Sequence, residues 1–305
     1  MELADKERNP SVEDSVQELN TGEVLEYEDI YLIAATEESY SIALLGGIGS
    51  GKTTLITSLY QMFLVPDKER RIVFGGSKTL QAFEERAFYT RTKGRSSNPL
   101  TPRTQLGSLK DLLHLRVYLT DSNEHINLFL TDSSGEEFQS ISGNTEIASR
   151  DFPIIRLAKH ISIVLDGEKL AAIRQRYAEI QRGIQLLKTF IDADSLRRDA
   201  SISIIVTKYD LFKCKTISSQ DELSSQIKSE FLEQIPEIEG RLTLFVTAAM
   251  PNEEGFVDQG YGLRDLLTHY VMSWREDGRD INRESKMWNT NSQFDLWKDR
   301  VRDEN

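Results

Sequence analysis

The stretch SIALLGGIGSGKTTLITSLYQMF, residues 41–63, leaves few options for the fold around it. SIALLGG is a continuous apolar run of the kind that a parallel sheet buries on both faces. After Lys52, the residues Leu55, Ile56, Leu59, Met62 and Phe63 recur at helical spacing, and the helix must end before Pro66. Between strand and helix lies GGIGSGKT, Gly46 to Thr53, which fits G-x-x-x-x-G-K-[ST] in the setting where that motif works. The bare pattern arises by chance in on the order of one chain in a hundred of this length. The setting makes an idle glycine turn rarer still.

The chemistry follows from the residue types. Gly46, Gly49 and Gly51, with Ser50 between the last two, let backbone N–H groups converge on a phosphate, and the helix start adds the positive end of its dipole. Lys52 is placed to bridge β- and γ-phosphate oxygens, Thr53 to give its hydroxyl to Mg²⁺, and Thr54 to continue the helix beside them.

A triphosphate bound with Mg²⁺ needs a second anionic group at a neighbouring strand end. INLFLTDSSGEEF provides it: Asp132 follows the apolar strand 126–131, and Gly135 can bring a backbone N–H to a γ-phosphate without a side chain in the way. The base is a separate question. TKYD, Thr207 to Asp210, ends the strand SISIIV, and a carboxylate there can accept from both N1–H and the exocyclic amine of guanine, whereas adenine offers neither donor in that arrangement. Lys208 would lie along the base and help hold the phosphate loop. TAA, Thr247, Ala248 and Ala249, closes the next strand with small residues that could put a backbone N–H on guanine O6.

The remaining pattern is an α/β alternation. YLIAA (31–35), LHLRVYLTD (113–121), INLFLTD (126–132), ISIVLDG (161–167), SISIIVTKYD (201–210) and LTLFVTAA (242–249) read as strands, the second and third as an antiparallel hairpin. Helical patterns occupy SKTLQAFEERAFYT, 167–192, 219–234 and 262–274. The expected fold is a three-layer P-loop NTPase fold, a mostly parallel sheet with one antiparallel hairpin strand and helices on both faces. An acidic segment, 1–28, would precede the nucleotide-binding domain, 29–275. A charged segment, 276–305, would follow, with Trp288, Phe294, Leu296 and Trp297 packing back as a short helix.

Composition excludes several classes. The formal charge of −12 argues against nucleic-acid partners, whose affinity comes from lysine and arginine neutralising phosphates. The local cluster Arg91, Lys93, Arg95 and Arg103 reads first as a solvated loop. Cys214 is the only cysteine and the four histidines are scattered, so neither a disulfide nor a transition-metal cluster is expected. No apolar run approaches the roughly 18 residues of a membrane span, and MELADKERNPSVED lacks the order of a signal peptide. A cytoplasmic protein is expected.

Taken in order, GGIGSGKT, DSSG, TKYD and TAA resemble the GTPases of the translation-factor and Ras-related P-loop class over roughly residues 40–275. More narrowly, VFGGSKTLQAFEERAFYTRTKG, TPRTQLG, LHLRVYL and LFLTDSSGEEF are similar to the bacterial double-GTPase family, whose members are often encoded beside partner proteins in defence or conflict systems. The resemblance implies bound GTP or GDP, Mg²⁺ held by Thr53, Asp132 and a switch threonine, and a protein partner or activating protein. Thr104 is favoured for that threonine over Thr101, with Arg103 beside them. Two departures matter. Thr207 stands where the pattern has asparagine, which would weaken the bracing of the phosphate loop. Glu136 stands where Ras-like enzymes have a water-positioning glutamine, and a carboxylate only accepts hydrogen bonds and adds repulsion. Lys52, Gly135 and Glu136 are the expected catalytic set, acting slowly without a partner. Three readings stay open: a Mg²⁺-dependent GTPase switch, a scaffold that holds GTP uncleaved, and a P-loop ATPase or kinase.

Overall fold

A computed structural model describes residues 22–65, 71–93, 112–141, 143–215, 219–251 and 257–276. Its elements run α1 (Tyr27–Thr36), β1 (Ser39–Gly46), α2 (Lys52–Gln61), β2 (Ile72–Gly76), α3 (Leu80–Lys93), β3 (Leu112–Leu119) and β4 (Glu124–Thr131). Then follow α4 (Gly135–Ile141), α5 (Thr145–Asp151), α6 (Pro153–Leu157), β5 (His160–Asp166), α7 (Gly167–Ala171) and α8 (Ile173–Asp192). The last third holds β6 (Ser201–Thr207), α9 (Tyr209–Lys215), α10 (Gln220–Gln234), β7 (Leu242–Val246) and α11 (Leu263–Glu276).

The strands form one seven-stranded sheet in the order β2-β3-β4-β1-β5-β6-β7. β3 runs antiparallel to both β2 and β4, and the other pairings are parallel. The reason lies in the side-chain period. Along β1, Ala43 and Leu45 join one core with Ile163, Leu165, Phe190 and Phe231, while Ile42 and Leu44 join a second with Leu55, Leu59, Phe83 and Tyr270. A strand apolar on both faces needs helices on both sides; α8 and α10 cover the first face, and α2, α3 and α11 the second. The register Gly46↔Val164 and Asp166↔Thr207 brings the C-terminal ends of β1, β5 and β6 to one edge.

YLIAA is not a strand. It lies inside α1, where Ile30 and Ile33, three apart, are buried while Tyr31 and Leu32 are each 60% exposed. Helical spacing accounts for this, and the Asp29 carboxylate fixes the start by accepting from the Glu26 N–H at 3.0 Å. A run of five apolar residues carries no period of its own. Packing also begins ahead of residue 29: Leu25 is buried and its N–H donates to Leu112 O at 2.9 Å. IVFGG becomes the edge strand β2, the pattern 167–192 breaks at Ala172 into α7 and α8, and the short helices α4, α5, α6 and α9 fill segments without a readable pattern. The expectations for residues 1–21, for Arg95, Thr101, Arg103 and Thr104, and for the aromatics beyond 276 fall outside the described residues. Among the described residues, no helix is long and apolar enough to cross a membrane.

The end of the sheet remote from these strand ends holds a buried histidine. His160, at the start of β5, is fully buried beside His269 and Tyr270 of α11, at ring separations of 5.5 and 5.3 Å. Burial, aided by His269, pushes its pKa down to about 3. Below the ordinary value near 6.5, the unfolded chain takes up a proton that the folded chain refuses. Stability is therefore expected to fall as pH drops from about 6.5 toward 3. Urea denaturation across that window should show a shallower slope for His160→Phe.

Candidate functional site

The loop between β1 and α2 sits at the C-terminal edge. Gly49 and Gly51 adopt φ of +71° and +89°, in the left-handed region that L side chains rarely enter, so the loop depends on glycine at both positions. Lys52 opens α2 and is only 6% exposed. Its ammonium donates to Gly46 O at 2.8 Å and Gly47 O at 3.2 Å, and lies 5.6 Å from the centroid of the Phe138 ring. Burial lowers its pKa to about 8, against the pull of Asp132 and Glu137. Among the described residues, the buried Ser50 hydroxyl has no hydrogen-bond partner, and a Cβ at Gly49 would meet open space. An unsatisfied donor, a buried ammonium and room above a glycine bend suit a phosphate chain. Thr54 follows, half-buried on α2.

A second cluster of polar groups forms where α2 meets the end of β4. Thr53 Oγ1 donates to Asp132 Oδ1 at 2.8 Å, and Asp132 is fully buried. Two adjacent hard oxygens suit Mg²⁺, which takes one or two protein oxygens and leaves its other positions to water and phosphate. The second oxygen of Asp132 accepts from Arg86 Nε at 2.8 Å, a contact from α3 that no motif announces. Three residues on, Gly135 begins α4 against the phosphate loop: a Cβ there would lie 2.5 Å from Ile48 N and 2.6 Å from Gly47 C. Only glycine fits. Glu136 is half-buried, with its N–H donating to Ser134 Oγ at 3.2 Å. Glu137 is more deeply placed; its carboxylate accepts from Ser134 N at 3.0 Å and acts electrostatically on Lys52.

The third part comes from β6 and β7. Thr207 Oγ1 donates to Ser50 O at 2.6 Å and Leu165 O at 3.2 Å. At the position where the family pattern has asparagine, the threonine hydroxyl makes a bond to the phosphate loop. Thr207→Val keeps the shape and removes the donor, so it should cost about 1 kcal/mol of stability. Urea denaturation would measure that loss. Lys208, at φ +51°, turns its ammonium to Asp166 Oδ2 at 2.8 Å. Asp210, in the first turn of α9, is 2% exposed. Thr247 is buried, with its N–H on Val206 O at 2.7 Å, and the Ala248 N–H is on Tyr261 O at 3.1 Å. Those two amides serve the fold.

The strand ends thus bring together Lys52, Thr53, Asp132 and Gly135, with Thr207 tying the phosphate loop to the TKYD segment. A family model described as Double-GTPase 2 matches residues 40–272. The chain belongs to the Double-GTPase 2 family. No curated protein matches it. Among solved structures, it is similar to the crystal structure of the bacterial selenocysteine-specific elongation factor EF-Sec, at 15% identity and a TM-score of 0.40, over 79% of this chain and 29% of that one. The chain thus spans under a third of that structure's length.

This Double-GTPase 2 member also carries a buried network that the motifs do not announce. Glu179 of α8 is 2% exposed, accepts from Asp166 N at 3.1 Å and from Arg182, and forms an ion pair with Lys169 at 3.6 Å. Arg182 passes close to the phosphate loop, with its Cδ 3.4 Å from where a Cβ on Gly47 would lie. Through Asp166, the same network reaches Lys208. In sequence, Glu179 and Arg182 look like an ordinary solvated helix pair.

Proposed function

We propose that the protein binds GTP with Mg²⁺ and hydrolyses it slowly to GDP and phosphate as a molecular switch. Membership of the Double-GTPase 2 family supports a GTP-binding protein. The observation that carries the finer reading is the Thr207–Ser50 hydrogen bond, because it ties the phosphate loop to the strand that presents Asp210. Phosphate and base sites are thereby one rigid unit. Asp210 reads guanine; the Lys52 ammonium, the Ser50–Thr53 amides and the Gly135 amide face the phosphates; Thr53 and Asp132 hold Mg²⁺, with Thr104 or Thr101 as the further ligand. Bound Mg²⁺ supplies charge neutralisation on the phosphate oxygens. Water attacks the γ-phosphorus as the bond to the bridging oxygen breaks; that oxygen leaves with GDP, and the water's protons end on the released phosphate. The chain's part is to position and to neutralise.

Slow turnover is proposed because Glu136 is a carboxylate and only accepts hydrogen bonds. A second reading, a GTP-loaded scaffold without turnover, is favoured by Glu136 itself, whose carboxylate cannot donate to a γ-phosphate as a water-positioning glutamine would. Phosphate release from excess GTP separates the two: repeated turnovers support the enzyme, and intact GTP retained on the protein supports the scaffold. The resemblance noted above extends the proposal to a cytoplasmic role beside a partner protein in a bacterial defence or conflict system. Pull-down with GTP-loaded and GDP-loaded protein would test that extension.

A further inference from the structure

α3 brings a cation to the metal side of the site that GGIGSGKT, DSSG and TKYD do not account for. Arg86 donates through Nε to Asp132 Oδ2 at 2.8 Å and through Nη1 to Ala82 O at 3.1 Å. The side chains are 18% and 1% exposed, so the pair is largely shielded from water. The other carboxylate oxygen accepts from Thr53 at 2.8 Å. Both oxygens of Asp132 are thus committed, one to the hydroxyl proposed to ligate Mg²⁺ and one to a guanidinium.

A buried carboxylate needs a countercharge. Arg86 provides one. A divalent cation between Thr53 and Asp132 would provide another, and arginine does not deprotonate to make way for it. Two cations on one shielded carboxylate repel each other strongly, because water is not there to screen them. Resting on the reading of Thr53 and Asp132 as the metal side, we propose that Arg86 is an internal stand-in for Mg²⁺, so that metal binding displaces Arg86 from Asp132 and reports to α3.

The helix is built to pass that change on. Tyr60 of α2 stacks on Phe83 of α3 at 4.9 Å, and its hydroxyl donates to Glu84. At this same N-terminal end of α3, Ala82 N donates to Gly22 O at 3.0 Å. α3 therefore touches both the helix that carries Lys52 and the segment before α1, and it leads in sequence toward Thr101 and Thr104.

The test is release of N-methylanthraniloyl-GDP from the full chain as free Mg²⁺ is varied. In the wild type, Mg²⁺ slows release, with a measurable half-effect concentration. Arg86→Ala removes the competitor, and charge-assisted hydrogen bonds of this kind predict a half-effect concentration lower by roughly tenfold or more. Arg86→Lys, which keeps the charge but loses the planar fork, falls between the two and serves alone if the alanine variant does not fold. A second readout is hydrogen exchange over 80–93, which Mg²⁺ with GDP should speed in the wild type and GDP with EDTA should not. An unchanged or raised half-effect concentration in these variants overturns the proposal. Wild-type protein that binds no labelled GDP, or releases it identically with and without Mg²⁺, defeats the metal–nucleotide reading itself, and the competition falls with it.

Discussion

Asp210→Asn is expected to move nucleotide preference from GTP to xanthosine triphosphate, by about 10⁴ in relative affinity if both hydrogen bonds to guanine run through this carboxylate. Asp210 is 2% exposed, in the first turn of the helix after β6. A buried carboxylate offers only acceptors, matched to the N1–H and the 2-amino group of guanine. Asparagine turns one acceptor into a donor, which opposes the 2-amino group and suits the 2-oxo group of xanthine. Away from water, the mismatched pair loses a bond and leaves a polar group unpaired. Competition of labelled GTP by the two unlabelled triphosphates measures the switch. Equal loss of both would mean that the substitution damaged the fold around α9, and retained GTP preference would remove Asp210 from base recognition.

Lys52→Ala should weaken GTP binding at least about a hundredfold, the expected cost of losing two charge-assisted hydrogen bonds to phosphate oxygens. The same substitution should leave the nucleotide-free fold intact. Lys52 is 6% exposed, its ammonium is held by the Gly46 and Gly47 carbonyls, and burial lowers its pKa to about 8. A lysine so placed is costly to bury. Removing it relieves that cost while losing two hydrogen bonds to carbonyls, so the melting temperature of the empty protein should change little. Binding lost with melting unchanged places Lys52 in the site; binding and melting lost together would make it a structural residue.

What could be read in advance divides by distance along the chain. GGIGSGKT, DSSG and TKYD are runs of consecutive residues, each at the end of an apolar strand, and the sheet aligns those ends on one edge. Their placement follows from pattern alone. YLIAA failed because five apolar residues fit either period, and the spacing of Ile30 and Ile33 decides only once a core lies beneath them. The pieces that complete the site join positions far apart: Arg86 reaches Asp132 across 46 residues and Thr207 reaches Ser50 across 157. Nothing local marks Arg86 among the charges of LQAFEERAFYTRTK, nor Glu137 beside Glu136, whose different depths arise from the turn of α4. The Thr207 brace was legible as a position, whereas its partner, the Ser50 carbonyl, is set by how close the two backbones lie.

Equilibrium binding of GTP and ATP to the purified chain in Mg²⁺, measured side by side, bears most directly on whether these strand ends form a guanine-nucleotide site. The expected result is GTP binding tighter than ATP by about 10³ or more, in keeping with recognition through buried hydrogen-bonding groups. ATP binding as tight as GTP, or no binding of either, would contradict it.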